Sequence, residues 1–362
     1  MNIEKCQIPK SFQEPLSPGF PRDSALAPSL GVIRSIVLYV DFPDNKSLQN
    51  TAEFNNQFSE EAKKFLEAQS YGRAKFVFDI PSRIFRVNKN SSSYKIQGDG
   101  QGDVRGLIQD AIDAADESID FTPYEFVTVV PPSDTSSILF SGTMNGSADS
   151  FRSNERNFSS AIWIGKNKLS NFKKPGFGWS FYAHEIGHVL GITHPYLQKN
   201  GGPGAIWDLM GNGGTSVPEF IGWHRFLLNW LNENEVICLS KDSISKQQFL
   251  ITPINSKASK PKVVIVLVNP LQALFLEVRR ASKYDRLRKD ETGAIVYQVD
   301  VSKGDDEGII TVLGDKGTKR EGQTLESIKR GEKIHSAGIS FQVISSSTAG
   351  DMIQISKVKV SN

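Results

Sequence analysis

Apolar residues in this chain recur in two rhythms, and the rhythm changes near residue 235. The stretch GVIRSIVLYVDFPD, residues 31–44, is a dense β-branched run closed by a Pro-Asp turn, which predicts a buried strand. Phe54, Phe58, Ala62, Phe65 and Leu66 then fall at helical spacing, and after SYGR a strand is predicted from Ala74 to Ile80. Beyond the polar loop SSSYKIQGDGQGD, Asp103 is placed to cap a helix with Val104, Leu107, Ile108, Ala111, Ile112 and Ala115 on one face. Strands follow at Phe126–Val130 and Ala161–Gly165, separated by a loop rich in Ser and Asn. Helical spacing returns at Trp179–Leu190 and Glu219–Leu231, with the Gly-rich NGGPGAIWDLMGNGG between them. This order predicts an α/β (α+β) domain with a mixed twisted sheet. Past Asn232 the texture becomes QQFLITPI, KVVIVLV, ALFLEVR, GAIVYQVD, ISFQVI and MIQISKVKV, short strands split by polar turns, which predicts an all-β, sandwich-like C-terminal domain. The expected organisation is an N-terminal strap at 1–30, a first domain at 31–234 and a β domain at 235–362.

Composition narrows the partners. The 362 residues carry 42 Lys+Arg against 40 Asp+Glu, and neither sign gathers into a long block, so a nucleic-acid partner is not expected. KASKPK, at 257–262, reads as a charged turn. Apolar runs such as Val263–Val268 are far shorter than the roughly 18 residues of a spanning helix, so no membrane span is expected. The opening MNIEKCQIPKSF shows no apolar stretch of the kind that forms a signal-peptide core. Cys6 and Cys238 leave two readings open, one bridge tying the strap to the domain junction or two buried thiols. A monomer is expected.

The chemistry concentrates in residues 184–194, HEIGHVLGITH, which fits H-E-x-x-H-x-x-G-x-x-H at every position. With 5 histidines in the chain, residue frequencies give a chance expectation on the order of 10⁻⁵. His184 and His188, four apart, stand on one face of a helix. Gly191 allows the left-handed turn that ends the helix and returns His194 toward them. Three imidazoles predict one catalytic Zn²⁺ with an open fourth position. Such an ion lowers the pKa of a coordinated water to about 7, and Glu185 is the candidate general base that takes its proton.

Met210 stands sixteen residues after His194, within WDLMG, residues 207–211, a tight turn among glycines. Beside the histidine motif it resembles the metzincin Met-turn, with Met210 as the apolar floor. VLYVDFPD, SYGRAKF, HEIGHVLG, WDLMGNG, GWHRFLLNWL, FLEVRR and GAIVYQVD occur in an order that resembles the immune inhibitor A-like bacterial metalloproteases, over roughly residues 30–355. That resemblance implies a metzincin-like zinc endopeptidase with a β-rich C-terminal part, a protein or peptide substrate, export from the cell and, in some members, bound calcium. Two departures stand out: His194 occupies a position where many relatives carry Asp, and Asn212 stands where some metzincins keep a tyrosine.

His224 is a candidate oxyanion helper, with packing on an aromatic-rich helix as the plainer reading. Tyr182 reads either as cleft lining or as core, and Asp208 either as an acceptor for a ligand histidine or as the cap of the Met-turn. His335 reads as a surface residue. Asp300, Asp305, Asp306 and Glu307 offer carboxylates for calcium, but the Asp-x-Asp-x-Asp-Gly pattern is missing and a solvated hairpin turn explains them as well. The functional expectation is hydrolysis of peptide bonds, with the substrate extended beside loop 145–160 or strand Ala161–Gly165. Its rivals are a zinc hydrolase of another amide, a protease kept latent by the strap, and a surface-binding module with a vestigial zinc site.

Overall fold

Alternation along the first strand assigns its two faces. In the computed structural model, which describes residues 3–11, 18–46, 58–146, 150–169, 177–196, 205–211, 219–314, 319–320, 323–324 and 327–358, Ile36, Leu38 and Val40 of β1 (Gly31–Asp41) point into one core. Val37 and Tyr39, between them, point the other way. β1 is joined by β2 (Ala74–Asp79), β3 (Phe126–Val130), β4 (Gly142–Asn145) and β5 (Ser160–Trp163) in the order β2-β1-β3-β5-β4, with Phe85–Arg86 also paired to β1. All these pairings are parallel except β4 against β5. The chain is a mixed α/β fold with several sheets.

The expected strand at 161–165 is therefore interior, with β3 on one side and β4 on the other, and it has no edge to offer a peptide. Among the described residues β4 is an edge strand of this sheet, inside the stretch that reads as a polar loop. Its sequence Gly-Thr-Met-Asn is short and half-exposed, so neither length nor β-branched content marks it. Helix α1 (Glu60–Gln69) precedes β2, and α2 (Val104–Asp116) starts where Asp103 Oδ1 accepts from Gly106 N at 2.8 Å, the expected cap. The apolar face of α2 packs on Ile36, Leu38, Val40, Val127 and Val129. The opposite sheet face meets helix α3 (Phe177–Val189), where the hydroxyls of Thr128 and Tyr182 lie 2.9 Å apart. Tyr182 is fully buried, so its core reading holds.

Two compact units emerge, 23–192 and 1–22 with 193–362. The division differs from the expected boundary near 235, and the reason is aromatic. Helix α4 (Gly222–Leu227), shorter than the expected 219–231, sets Trp223 edge-on to Phe275 at 5.6 Å, and Phe20 of the strap packs edge-on against Trp223 and Phe226 at 6.1 and 5.1 Å. The start of α4 is capped from the β region: Gly222 N donates to Glu277 Oε2 at 2.5 Å and Trp223 N to Tyr297 Oη at 3.0 Å.

The β region of this unit contains β6 (Val236–Ser240), β7 (Gln247–Ile251), β8 (Val263–Asn269), β9 (Gln272–Arg279), β10 (Gly293–Asp300), β11 (Ile310–Val312), β12 (Lys333–Ser336), β13 (Ile339–Ser347) and β14 (Gly350–Lys357). One sheet runs β11-β10-β9-β8-β6, the other β7-β14-β13-β12. A single apolar cluster draws Ile237, Val264, Leu274 and Val296 from the first and Phe341, Val343, Ile353 and Ile355 from the second. Of the two readings of the cysteines, the bridge is the one present: Cys6, in a short turn of the strap, is disulfide-bonded to Cys238 on β6. Among the described residues, no helix is long and apolar enough to cross a membrane.

Candidate metal centre

Helix α3 is buried nearly all round. Between Phe181 and Leu190 only His184 and His188 are not buried, which puts both imidazoles on its one open stripe, a turn apart. The helix stops at Gly191, whose φ of +86° is left-handed. Gly191 N donates to His188 O at 2.8 Å and Ile192 N to Gly187 O at 2.9 Å, the paired bonds of a Schellman cap. A Cβ at position 191 would lie 2.4 Å from Leu26 Cδ1, so beyond the backbone strain a larger residue would also have to move the end of the Leu26 side chain.

The same cap sets the chemistry of His188. Its Nδ1 lies 2.8 Å from Ile192 O, and because a carbonyl can only accept, Nδ1 carries the proton and Nε2 carries the lone pair. That Nε2 faces Nε2 of His184 at 3.2 Å, with the ring planes 85° apart. Two nitrogens each about 2.0–2.1 Å from a tetrahedral zinc would stand about 3.3 Å apart, so the spacing suits an ion of that size. Within the stretch 184–194 one ring nitrogen from each of His184, His188 and His194 lies within 4.8 Å of the others. This histidine cluster has the donor set and spacing to hold a metal ion.

His194 is gripped by the β10–β11 connection. Its backbone N donates to Asp305 Oδ1 at 2.5 Å, its Nδ1 lies 3.5 Å from Asp305 Oδ2, and Asp306 N donates back to His194 O at 3.1 Å. A carboxylate beside Nδ1 favours the tautomer that turns Nε2 to a metal, as the carbonyl does at His188. His194, Asp305 and Asp306 also form a second group whose ligand atoms lie within 4.8 Å. The other acidic residues of that segment serve the turn: Asp300 accepts from Ser302 and Gln272, and Glu307 from Gly304 N. Neither metal-competent group among the described residues includes Asp300 or Glu307.

Glu185 is 5% exposed, and Thr143 Oγ1 on β4 lies 2.8 Å from its Oε2 and 3.0 Å from its backbone O. Asn145 Nδ2, two residues along, donates to His188 O at 3.1 Å. Lys168 lies with its Nζ 4.6 Å from the centre of the Phe181 ring; burial draws it below the ordinary lysine range, and the negative charge of Glu185 works in the other direction. None of Thr143, Asn145 or Lys168 carries a motif. For Thr143 and Asn145 the signal is the strand register, which exists only once the sheet is built, and Lys168 lies on a short helix, Lys166–Leu169.

Met210 is 1% exposed in a turn where Met210 N donates to Asp208 Oδ1 at 3.2 Å and Gly211 N to Asp208 O at 3.0 Å, so Asp208 takes its capping role. The other carboxylate oxygen of Asp208 lies 2.6 Å from His224 Nδ1, and both side chains are buried. His224 is thus packed against an acid inside its own unit. Asn212 lies outside the described residues, and His335 is exposed. Comparison with protein-family models and with curated proteins finds no match to this chain.

Proposed function

We propose that the chain is a zinc-dependent hydrolase of amide bonds, with peptides as its substrates, built as the metzincin-like motif and the resemblance to immune inhibitor A-like proteases imply. The observation that carries this reading is the pair of Nε2 atoms of His184 and His188, 3.2 Å apart, the second oriented by the Ile192 carbonyl, on a helix that also buries Glu185. His184, His188 and His194 would hold the ion. A bound zinc supplies Lewis acidity toward water and toward a scissile carbonyl. Glu185 then accepts the proton of the attacking water and passes it to the departing nitrogen, so no acyl intermediate forms on the chain. Among the described residues β4 pairs on one side only, with β5, which supports an extended peptide as the added strand. The Cys6–Cys238 bridge supports an oxidising compartment and hence export.

A second reading is a metal-holding module without turnover, and what favours it is the sharing of His194 with Asp305 and Asp306. Zinc content and casein cleavage, measured on wild type and Glu185→Gln with a chelator control, separate the two. The hydrolase reading expects about one zinc in both proteins and cleavage by wild type alone, with at least about a hundredfold loss in the variant. Zinc in both and cleavage in neither supports the second reading, and equal cleavage by both removes Glu185 from its role.

A further inference from the structure

The register of the first sheet aims one hydroxyl at the general base. Val37 is paired with Thr128, Thr128 with Ile162, and Ile162 with Thr143, so these four side chains form one row across β1, β3, β5 and β4. Directly opposed residues share a sheet face. Thr128 meets Tyr182 of α3, which fixes that face as the helix side. Thr143, at the edge end of the row, reaches Glu185 Oε2 at 2.8 Å and Glu185 O at 3.0 Å.

From this geometry we infer that Thr143 is the positioning residue of the general base, an inference that rests on the hydrolase reading above. A hydroxyl has one proton to give. The carbonyl of residue 185 lies inside α3, where the N–H four residues on satisfies it, whereas the carboxylate is the charged and closer acceptor. The proton of Thr143 goes to Oε2. A neutral donor orients the carboxylate without cancelling its charge, which a base needs to retain. Threonine suits the task because its β-branched χ1 is stiff and its backbone is tied into a ladder, so little freedom is left to lose when the bond forms. Asn145, on the same face two residues along, donates to His188 O at 3.1 Å, so β4 grips α3 at the base and again near the second histidine. The strand that would receive a peptide therefore also sets the direction of the base.

Thr143→Val removes the hydroxyl at nearly constant shape and suits a strand, and Thr143→Ser keeps it. For each variant and wild type, kcat and KM on a casein-derived peptide, zinc affinity by chelator competition, thermal midpoint and affinity for a peptide hydroxamate would be measured. The hydroxamate reads the base without turnover, because its N–OH proton must be taken by Glu185 on binding. The expectation for Thr143→Val is a kcat about tenfold to a hundredfold lower, with a parallel loss of hydroxamate affinity and unchanged KM, zinc affinity and midpoint. Thr143→Ser should stay within about threefold of wild type. Wild-type kcat and hydroxamate affinity in Thr143→Val overturn the inference, and so does an equal loss in both variants or a loss confined to zinc affinity or midpoint, which are the marks of a packing role. If wild type itself neither cleaves nor binds the hydroxamate, the hydrolase reading fails and the inference falls with it, a pattern distinct from every variant-specific result.

Discussion

The two units bury charge to different extents. Among its described residues the 23–192 unit buries two side chains of the Asp, Glu, Lys and Arg types, Asp41 and Glu185. Asp41 is bonded to Arg86, and Glu185 is met by the Thr143 hydroxyl. The other unit buries a connected network. Arg279 donates from Nε to Asp285, from Nη1 to Glu277 and from Nη2 to the carbonyl of Trp207, at 2.8, 2.8 and 2.9 Å, while Arg225 is paired with Glu219 and Lys262 with Glu235. Matched charges inside a β unit specify packing, and each supplies what its neighbour lost in leaving water. The buried carboxylate of Glu185, on a histidine-bearing helix and met by the Thr143 hydroxyl, is instead the group that the proposed hydrolase reading uses as its base.

That contrast is testable from its strongest side downward. Arg279→Met should cost about 3–5 kcal/mol, because Glu277 and Asp285 are left buried beside an apolar side chain; urea unfolding followed by tryptophan fluorescence measures it, and a loss under about 1 kcal/mol would show that the network does not hold the unit together. Removing the bridge in Cys6→Ser/Cys238→Ser should cost about 2–4 kcal/mol, since it closes a loop of sequence separation 232. Its signature is a drop in denaturation midpoint that reduction of wild type reproduces. Gly191→Ala, in the unit without such a staple, should cost about 1–2 kcal/mol for the left-handed backbone, with more from the contact with Leu26. Zinc affinity should fall with it, because the Ile192 carbonyl that orients His188 belongs to the same cap.

Two smaller effects probe the loop that holds His194. Asp305→Asn should weaken zinc binding about tenfold in chelator competition and leave unfolding by urea unchanged, as expected of a group that orients a ligand from behind. An unchanged zinc affinity would detach the loop from the metal centre. For Asp300, burial alone would raise the pKa, but hydrogen bonds from Ser302 and Gln272 outweigh it and hold the carboxyl below its ordinary value. A folded value below the unfolded one, about 3.9, means that its stabilisation is present above about pH 4 and is lost as pH falls through the folded value. Asp300→Asn should therefore be less stable than wild type by about 1 kcal/mol or less at pH 7, and the difference should shrink as pH falls through the folded value. A constant difference across that range would place the effect in packing.

The ligand helix, its cap and the strands with long apolar runs are legible in the amino-acid sequence, because each depends on neighbours along the chain. Asp103 as a cap and Gly191 as a left-handed stop are local backbone chemistry, and both stand where the residues put them. The edge strand Gly142–Asn145 is not legible in that way. Four half-exposed residues become a strand only because β5 offers a free ladder. The change of texture near 235 is a true change of rhythm but a poor guide to the boundary, since Trp223, Phe226 and the capped start of α4 pack with strands that come later in the chain.

The sequence by itself determined which residues could bind a metal ion and in what local frame: His184 and His188 a turn apart, Glu185 beside them, and a glycine where the helix must end. Helical periodicity and the left-handed tolerance of glycine act over a few residues, so spacing is enough to reveal them. Only the tertiary structure decided what stands behind those residues. The Thr143 hydroxyl at Glu185 and the Asp305 carboxylate at His194 come from 42 and 111 residues away. Their approach is set by strand register and loop packing, and neither leaves a pattern along the chain.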